Sequence, residues 1–305
     1  MNAIDDAITF SGLRRRTSTR LVFCMSGVAL GTWAPLVPIV KARLSVDEAT
    51  FGLLLLCMGL GSILIMPVTG YLTSRFGCRV IVTFAFACLC LILPVLTIIK
   101  TPMIMAAALV GFGMAMGCNS VAINLQAVLV ERHSGKSLMS GFHALFSLGG
   151  IAGSGIASAM LSSGISGTTA ALVGSAAIAI LLIVAREGIL AISNDDGERS
   201  PAFVVPRGIV VVIGLLALIA MLCEGAILDW GALFLIRAYD TDLATAGFGY
   251  TAFATMMTLG RLIGDRVRTR FGDTRILTWS AVLSTIGFLI SLASPFWSRA
   301  LLASC

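Results

Sequence analysis

The chain has 305 residues, of which 58% are hydrophobic and only 12% charged, with a mean hydropathy of +1.00. A soluble domain carries about a quarter charged residues, so this composition excludes an ordinary soluble globule and points to an all-α membrane protein whose main partner is the lipid bilayer. The net charge of +6 is spread over short segments between apolar runs, not gathered on an aromatic-rich face, which argues against a nucleic-acid partner.

Apolar segments follow one another at Leu21 to Val40, Thr50 to Leu72, Val80 to Ile99, Met103 to Val130, Leu138 to Ser162, Gly167 to Ala185, Gly208 to Ile236, Leu243 to Gly264 and Ile276 to Ala293. Each reaches or approaches the roughly 20 residues a helix needs to cross the hydrocarbon layer. Nine spans are expected, and a tenth begins near Phe296. The first run follows Arg14, Arg15, Arg16 and Arg20, but it is too long for a signal-peptide core and lacks a small-residue exit. It is read as a helix, not a leader.

Residues 1–20 are then a cytoplasmic N-terminus, 21–185 a six-helix half, 186–207 a polar cytoplasmic linker with SNDDGERSP, and 208–305 a partial second half. With the N-terminus inside, only Lys41, Arg43, Lys100, Arg237 and Arg299 of the 21 basic residues fall outside, as the positive-inside rule requires. A repeat supports the division. An offset of 195 lays Ala49, Thr50 and Gly52 on Ala244, Thr245 and Gly247, and Arg75, Phe76 and Gly77 on Arg270, Phe271 and Gly272.

Parallel six-helix repeats are the architecture of the major facilitator superfamily (MFS) of secondary transporters, and one segment carries the resemblance. Gly70-Tyr71-Leu72-Thr73-Ser74-Arg75-Phe76-Gly77-Cys78-Arg79 resembles that family's G-x-L-x-D-R-x-G-R-[KR] loop, with Ser74 in place of the Asp. The resemblance implies a loop that docks one half on the other and gates the cytoplasmic side. The copy at Gly264 to Arg275 is looser: GRLIGDRVRTRFG, with Arg261, Asp265, Arg270 and Gly272, replaces the pattern. Trp33 to Pro38 (WAPLVP), Asn124 to Gln126 (NLQ), Ser140 to Gly150 (SGFHALFSLGG) and CEGAILDW at Cys223 to Trp230 are similar to a fucose-permease-like branch of bacterial inner-membrane facilitators. A complete member has twelve helices, and by repeat arithmetic about 74 residues of this one are absent. That arithmetic points to a truncated or frameshifted product, so a non-transporting fragment is the rival reading.

Intramembrane polar groups are the site candidates, because an ionisable side chain in lipid costs at least a few kcal/mol. Glu224 lies near the centre of its span and is a candidate to take up and release a proton; the alternative is a paired Glu that fastens its helix to a neighbour. Asp229 is about 7.5 Å nearer the outer face and rotated by about 140°, so an unbroken helix cannot aim both acids the same way. Next to Gly225, Trp230 and Gly231, it reads as a structural group capping a helix irregularity.

The fucose-permease likeness implies coupling acids in the N-terminal half, but no span there holds one; Asn119, Asn124 and Gln126 stand there instead. Such amides hydrogen-bond hydroxyls of a polar solute or tie helices together; Asn119 and Gln126 share a face, and Asn124 and Gln126 are the pair expected to contact the solute, with interhelical hydrogen bonding as the equal alternative. Trp33 is a further solute-contact candidate, and His143 a proton relay or a donor to a backbone carbonyl. His133 is expected in a solvated loop. Gly27 and Gly31, Gly113 and Gly117, and Gly149 and Gly153 are spaced for close helix packing.

No P-loop, G-x-S-x-G, zinc or C-x-x-C pattern occurs, and neither an enzyme nor a cofactor is expected. The expectation is a monomeric transporter moving a small polar solute by alternating access, with protons as a candidate co-substrate.

Overall fold

The computed structural model describes the backbone of residues 3–191, 207–239 and 243–293, and the side chains of 12–191, 207–224, 253, 255–290 and 293. Helix α1 (Ala3–Trp33) begins well before the first apolar run. Hydropathy marks only the part of a helix that enters lipid, whereas arginine is a good helix former and carries the same helix on into water. Pro35 and Pro38 lack the backbone donors an α-helix uses, and here the chain passes through a 3-10 turn (Ala34–Leu36) into α2 (Val37–Leu44). Asp47 then caps α3 (Glu48–Leu96), its carboxylate accepting from the Thr50 amide at 2.7 Å.

At 1.5 Å per residue the 49 residues of α3 would measure about 74 Å, more than twice the roughly 30 Å hydrocarbon layer, so α3 cannot be a single crossing. Gly77 divides it. Its φ of 80° and ψ of 156° are open to glycine and strained for other residues, and they separate a limb at 48–76 from one at 78–96. The sequence places a loop at 70–79; the structure corrects this to helix interrupted at one glycine. Ser74 stands where the family motif has Asp, and its hydroxyl donates to the Tyr71 carbonyl at 2.8 Å, which an ionised Asp cannot do.

Helices α4 (Pro102–Ser134), α5 (Met139–Ser162) and α6 (Gly167–Ala185) complete the first of two compact units, Met1–Phe203. Gly135 ends α4 in the left-handed region, and the Glu131 carboxylate caps α5 by accepting from the Leu138 and Met139 amides at 2.7 and 2.8 Å. Ser166 caps α6 through the Thr169 amide. The second unit, Val204–Cys305, contains α7 (Ile209–Tyr239), α8 (Leu243–Phe271) and α9 (Asp273–Ala293). Helix α8 runs beyond the expected end at Gly264, so Arg266, Arg268 and Arg270 extend a helix and do not form a loop.

Among the described residues, five helical stretches are long and apolar enough to cross a membrane: Gly12–Leu44, Glu48–Leu96, Pro102–Ser134, Met139–Ser162 and Gly167–Gly188. Their outer faces expose Leu91, Met103 and Ile183 by more than two thirds, the arrangement of side chains that meet lipid. The buried side holds Phe23, Phe86, Phe112, Leu89 and Leu93.

Glycine sets how closely the helices approach. A Cβ on Gly27 or Gly31 of α1 would strike the backbone of α5 at Phe146 and Gly150, and one on Gly149 or Gly153 would strike α1 at Cys24 and Val28. The first limb of α3 and α4 repeat this arrangement: Gly61 abuts the Val110 carbonyl, Gly113 abuts Met58, and Gly117 abuts Ser62. All three expected glycine pairs therefore lie in backbone-to-backbone seams, where dispersion and close packing hold helices together once lipid has removed the hydrophobic drive between them.

Candidate functional site

The buried amides of α4 are anchored to α1. Asn119 donates to the Ser26 hydroxyl at 2.7 Å, and Ser26 in turn donates to the Val22 carbonyl at 2.9 Å. One heptad further along α4, Gln126 donates to the Thr19 hydroxyl at 3.2 Å, and Thr19 donates to the Arg15 carbonyl at 2.8 Å. The two pairs step in opposite chain directions, as antiparallel neighbours must, and Asn119 and Gln126 share the α1-facing side of α4. Thr19 and Ser26 did not stand out in the sequence, although their spacing on α1 matches that of the amides on α4.

Gln126 does more than bridge two helices. Its Oε1 accepts from the Leu190 amide at 2.9 Å and its Nε2 lies 3.4 Å from the Gly188 carbonyl. Arg79 binds the same segment, donating from Nε to the Ile189 carbonyl at 2.9 Å and from Nη2 to that of Glu187 at 3.1 Å, while its amide donates to the Leu190 carbonyl. Arg14 pairs with the Glu187 carboxylate, and Gly188 sits against Ser18. Three helices, α1, α3 and α4, thus converge on 186–190, the exit of α6, and satisfy carbonyls that a helix end leaves open.

The remaining amides differ. Asn119 is buried to 1% exposure, and its Oδ1 has no hydrogen-bond partner among the described residues. Ser26 cannot supply one, because its proton goes to Val22. Such an orphan acceptor is uncommon in a folded interior. Asn124 is only half-buried, on a different face from Asn119, and donates to the Ser120 carbonyl of its own helix at 2.8 Å.

Trp33 is buried at the end of α1 with its ring 6.1 Å from that of Phe112. His143, near the start of α5, meets Phe23 edge-on at 5.0 Å. His133 is exposed, as expected, but belongs to the last turn of α4 and not to a loop, and its Nδ1 lies 2.7 Å from the Leu129 carbonyl. The ring contacts of Trp33 and His143 are to Phe112 and Phe23, not to the α4 amides.

The two motif segments share local geometry. The Arg75 guanidinium lies 5.4 Å above the Phe76 ring, and that of Arg270 lies 5.5 Å above Phe271. Gly77 and Gly272 follow with φ of 80° and 83°. The second segment adds a two-pronged pair: Arg268 donates from Nε to Asp273 Oδ1 at 2.6 Å and from Nη2 to Oδ2 at 3.2 Å. Gly70 has open space where a Cβ would go, and Asp265 accepts from the Thr269 hydroxyl through its backbone carbonyl.

In the second unit, Glu224 is the middle residue of α7, and its Oε1 lies 3.3 Å from Arg261 Nη2 of α8. Both side chains are more than half buried, at 34% and 23% exposure. Arg261 lies within a helix beside α7, so it does not belong with the loop cations. Asp229 and Trp230 lie in the helical backbone of α7, but their side chains are outside the described residues.

Long apolar helices joined along glycine seams, with amides and an ion pair among them, define a multi-pass helical membrane protein. The chain belongs to the Major Facilitator Superfamily, whose family model matches residues 21–305. It is 46% identical over 282 residues to an uncharacterized MFS-type transporter of Yersinia pestis, a match covering 92% of this chain and 73% of that protein. It is also 29% identical over 283 residues to the membrane protein MosC of Rhizobium meliloti, covering 92% and 68% of the two chains. The crystal structure of the nucleoside transporter NupG (D323A mutant) superposes with a TM-score of 0.58 at 17% identity, over 96% of this chain and 77% of that one.

Proposed function

We propose that this protein is a secondary transporter that carries a small polar solute across the bacterial inner membrane by alternating access, and that Glu224 couples the movement to protons. Family membership supports the transporter reading, as do the names of the relatives; the NupG likeness, at 17% identity, bears on the fold alone. In this reading α1 to α6 form the N-terminal six-helix half, 186–207 the linker and 208–305 helices of the second half. The chain is a monomer with a cytoplasmic N-terminus.

The observation that carries the coupling is the Glu224–Arg261 pair at the centre of α7. A partly buried ion pair is screened by water and holds less energy than a fully buried one, but parting it still gives up the attraction between two charges held away from bulk water. Protonating Glu224 removes its charge and with it the attraction that holds Arg261 at this contact. A proton thereby sets how readily α7 and α8 part. The paired arrangement is also what a purely fastening Glu would adopt, and transport data separate the two roles.

Solute contact is assigned to Asn124, and Asn119, on another face of α4, offers a separate buried acceptor. The unpartnered Oδ1 of Asn119 can accept from a hydroxyl or an N–H, and Asn124 is accessible enough to exchange its intrahelical bond for one to a ligand. Gln126, expected from the sequence to contact the solute beside Asn124, is given the fastening role instead, since both ends of its amide are bonded within the protein.

Uptake of labelled polar solutes, sugars and nucleosides among them, into proteoliposomes under an imposed pH gradient tests the proposal. The expected result is gradient-driven uptake in the parent and solute exchange without gradient response in Glu224→Gln. Unchanged gradient response in that variant would remove Glu224 from coupling.

A further inference from the structure

At the basic end of the first unit, a cleft opens between the third and fourth turns of α1, the end of α4 and the exit of α6. Arg15, Arg16, His133 and Ser134 supply its polar wall, and Val130 and Leu190 its apolar one. We propose that this cleft binds the phosphodiester headgroup of an anionic lipid, with the two arginines holding the phosphate.

Charge bookkeeping around the cleft leaves these arginines available. Arg14 is matched by Glu187, and the Glu131 carboxylate is directed at the amides that begin α5. Among the described residues neither Arg15 nor Arg16 has an ion-pair or hydrogen-bond partner for its guanidinium. Both are partly buried, which holds them to one side of the cleft and excludes some of the water that would screen them. A guanidinium matches phosphate oxygens with two parallel donors, so two of them flanking a cleft suit a phosphate better than a carboxylate.

The apolar wall selects the source of that phosphate. Val130 and Leu190 offer nothing to a free ion, whereas a glycerophosphate with acyl chains presents apolar surface directly beneath its charge. Leu13, next to the cleft residue Gly12, is 63% exposed, and Leu21 begins the apolar run of α1 less than two turns beyond Arg16. The cleft therefore lies where the chain passes from polar to lipid-facing, the depth of a headgroup. Basic pockets between helices at that depth are a recurrent means of holding anionic headgroups. Leu190 also carries the amide bonded to Gln126 and the carbonyl bonded to Arg79, so an occupied cleft rests on the clamped exit of α6.

Native mass spectrometry of the purified full chain in detergent, titrated with phosphatidylglycerol, phosphatidylcholine or inorganic phosphate, tests the site. The expected result is preferential retention of phosphatidylglycerol. An arginine near the surface contributes about fivefold in affinity, so Arg16→Gln lowers retention about fivefold and the Arg15→Gln/Arg16→Gln pair about thirtyfold. Arg15→Lys/Arg16→Lys keeps most of it, and Arg20→Gln, exposed and outside the cleft, lowers it clearly less than Arg16→Gln does. If the double glutamine chain fails to fold, the single Arg16→Gln variant still decides, because retention equal to the parent's overturns the site. Equal retention of the two lipids, or an equal loss in Arg20→Gln, also overturns it. Inorganic phosphate displacing phosphatidylglycerol at millimolar concentration would reassign the cleft to a soluble phosphate and overturn the lipid reading.

Discussion

Asp273 opens α9 beside Arg268, the last cation but one in α8, and the geometry of this pair has a pH consequence. The hydrogen bond from Arg268 holds the Asp273 carboxyl below its ordinary value, and the arginine's charge adds to the effect. An unfolded Asp titrates near about 3.9, so the stabilisation is complete above that pH and is lost as pH falls through the depressed folded value. Because the pair is exposed, the effect is local to the junction and does not extend to global stability. Amide exchange at 272–276 is therefore expected to quicken between pH 5 and pH 2.5 beyond the intrinsic rate, and Asp273→Asn to abolish that extra dependence. A parent whose excess protection is flat over this range would show that the pair does not hold the junction.

The polar residues show what a sequence can and cannot specify at this scale. Glu224 was legible because an acid among apolar residues has no cheap environment, and that argument gives depth without naming a partner. Arg261 lies 37 positions away and in sequence belonged with a run of basic residues, so only the packing of α8 on α7 pairs it with Glu224. Gln126 and Asn124 looked equivalent two positions apart. The fold separates them, because Gln126 faces α1 and the returning 186–190 segment while Asn124 turns away.

At the scale of helices, each apolar run falls largely on helix, although the first crosses the 3-10 turn at Ala34–Leu36, and several boundaries were set short, since helices continue past the membrane into their arginine-bearing ends. The glycine spacing was the more informative signal. It placed Gly27, Gly31, Gly113, Gly117, Gly149 and Gly153 at contacts where no side chain fits, although it could not say which helices meet. Gly155 belongs to the same stretch of α5 and has open space around it. Gly149→Leu is expected to drive α5 off α1, at the cost of about 1–3 kcal/mol or more that overpacking carries, whereas Gly155→Leu is tolerated. Thermal unfolding of the detergent-purified variants measures the contrast, and equal behaviour of the two would count against a seam set by glycine. The motif segment is the converse case: composition suggested a loop, and a single residue, Gly77, suffices for the break.

For the molecule as a whole, the offset of 195 is matched by conformation, since Arg75-Phe76-Gly77 and Arg270-Phe271-Gly272 adopt the same ring contact and the same left-handed glycine. Orientation rests on the charges at the helix ends. The end of the first unit that carries Arg14, Arg15, Arg16, Arg20, Arg132 and Lys136 is richer in cations than the opposite end, which has Lys41, Arg43 and Lys100 and none in the α5–α6 turn at Ser163, Gly164, Ile165 and Ser166. Moving the basic end across the membrane would oppose the positive-inside bias, so Lys136 is expected in the cytoplasm and Ser163 outside. Helix α5 joins them; its 24 residues rise about 36 Å, enough for one crossing with some tilt. Cysteines introduced singly as Lys136→Cys and Ser163→Cys, probed in intact cells with a membrane-impermeant maleimide, give the readout once the parent's labelling is subtracted. Ser163→Cys should react at once and Lys136→Cys only after the membrane is opened. The reverse pattern would invert the orientation, and reaction of both from outside would mean that α5 does not cross.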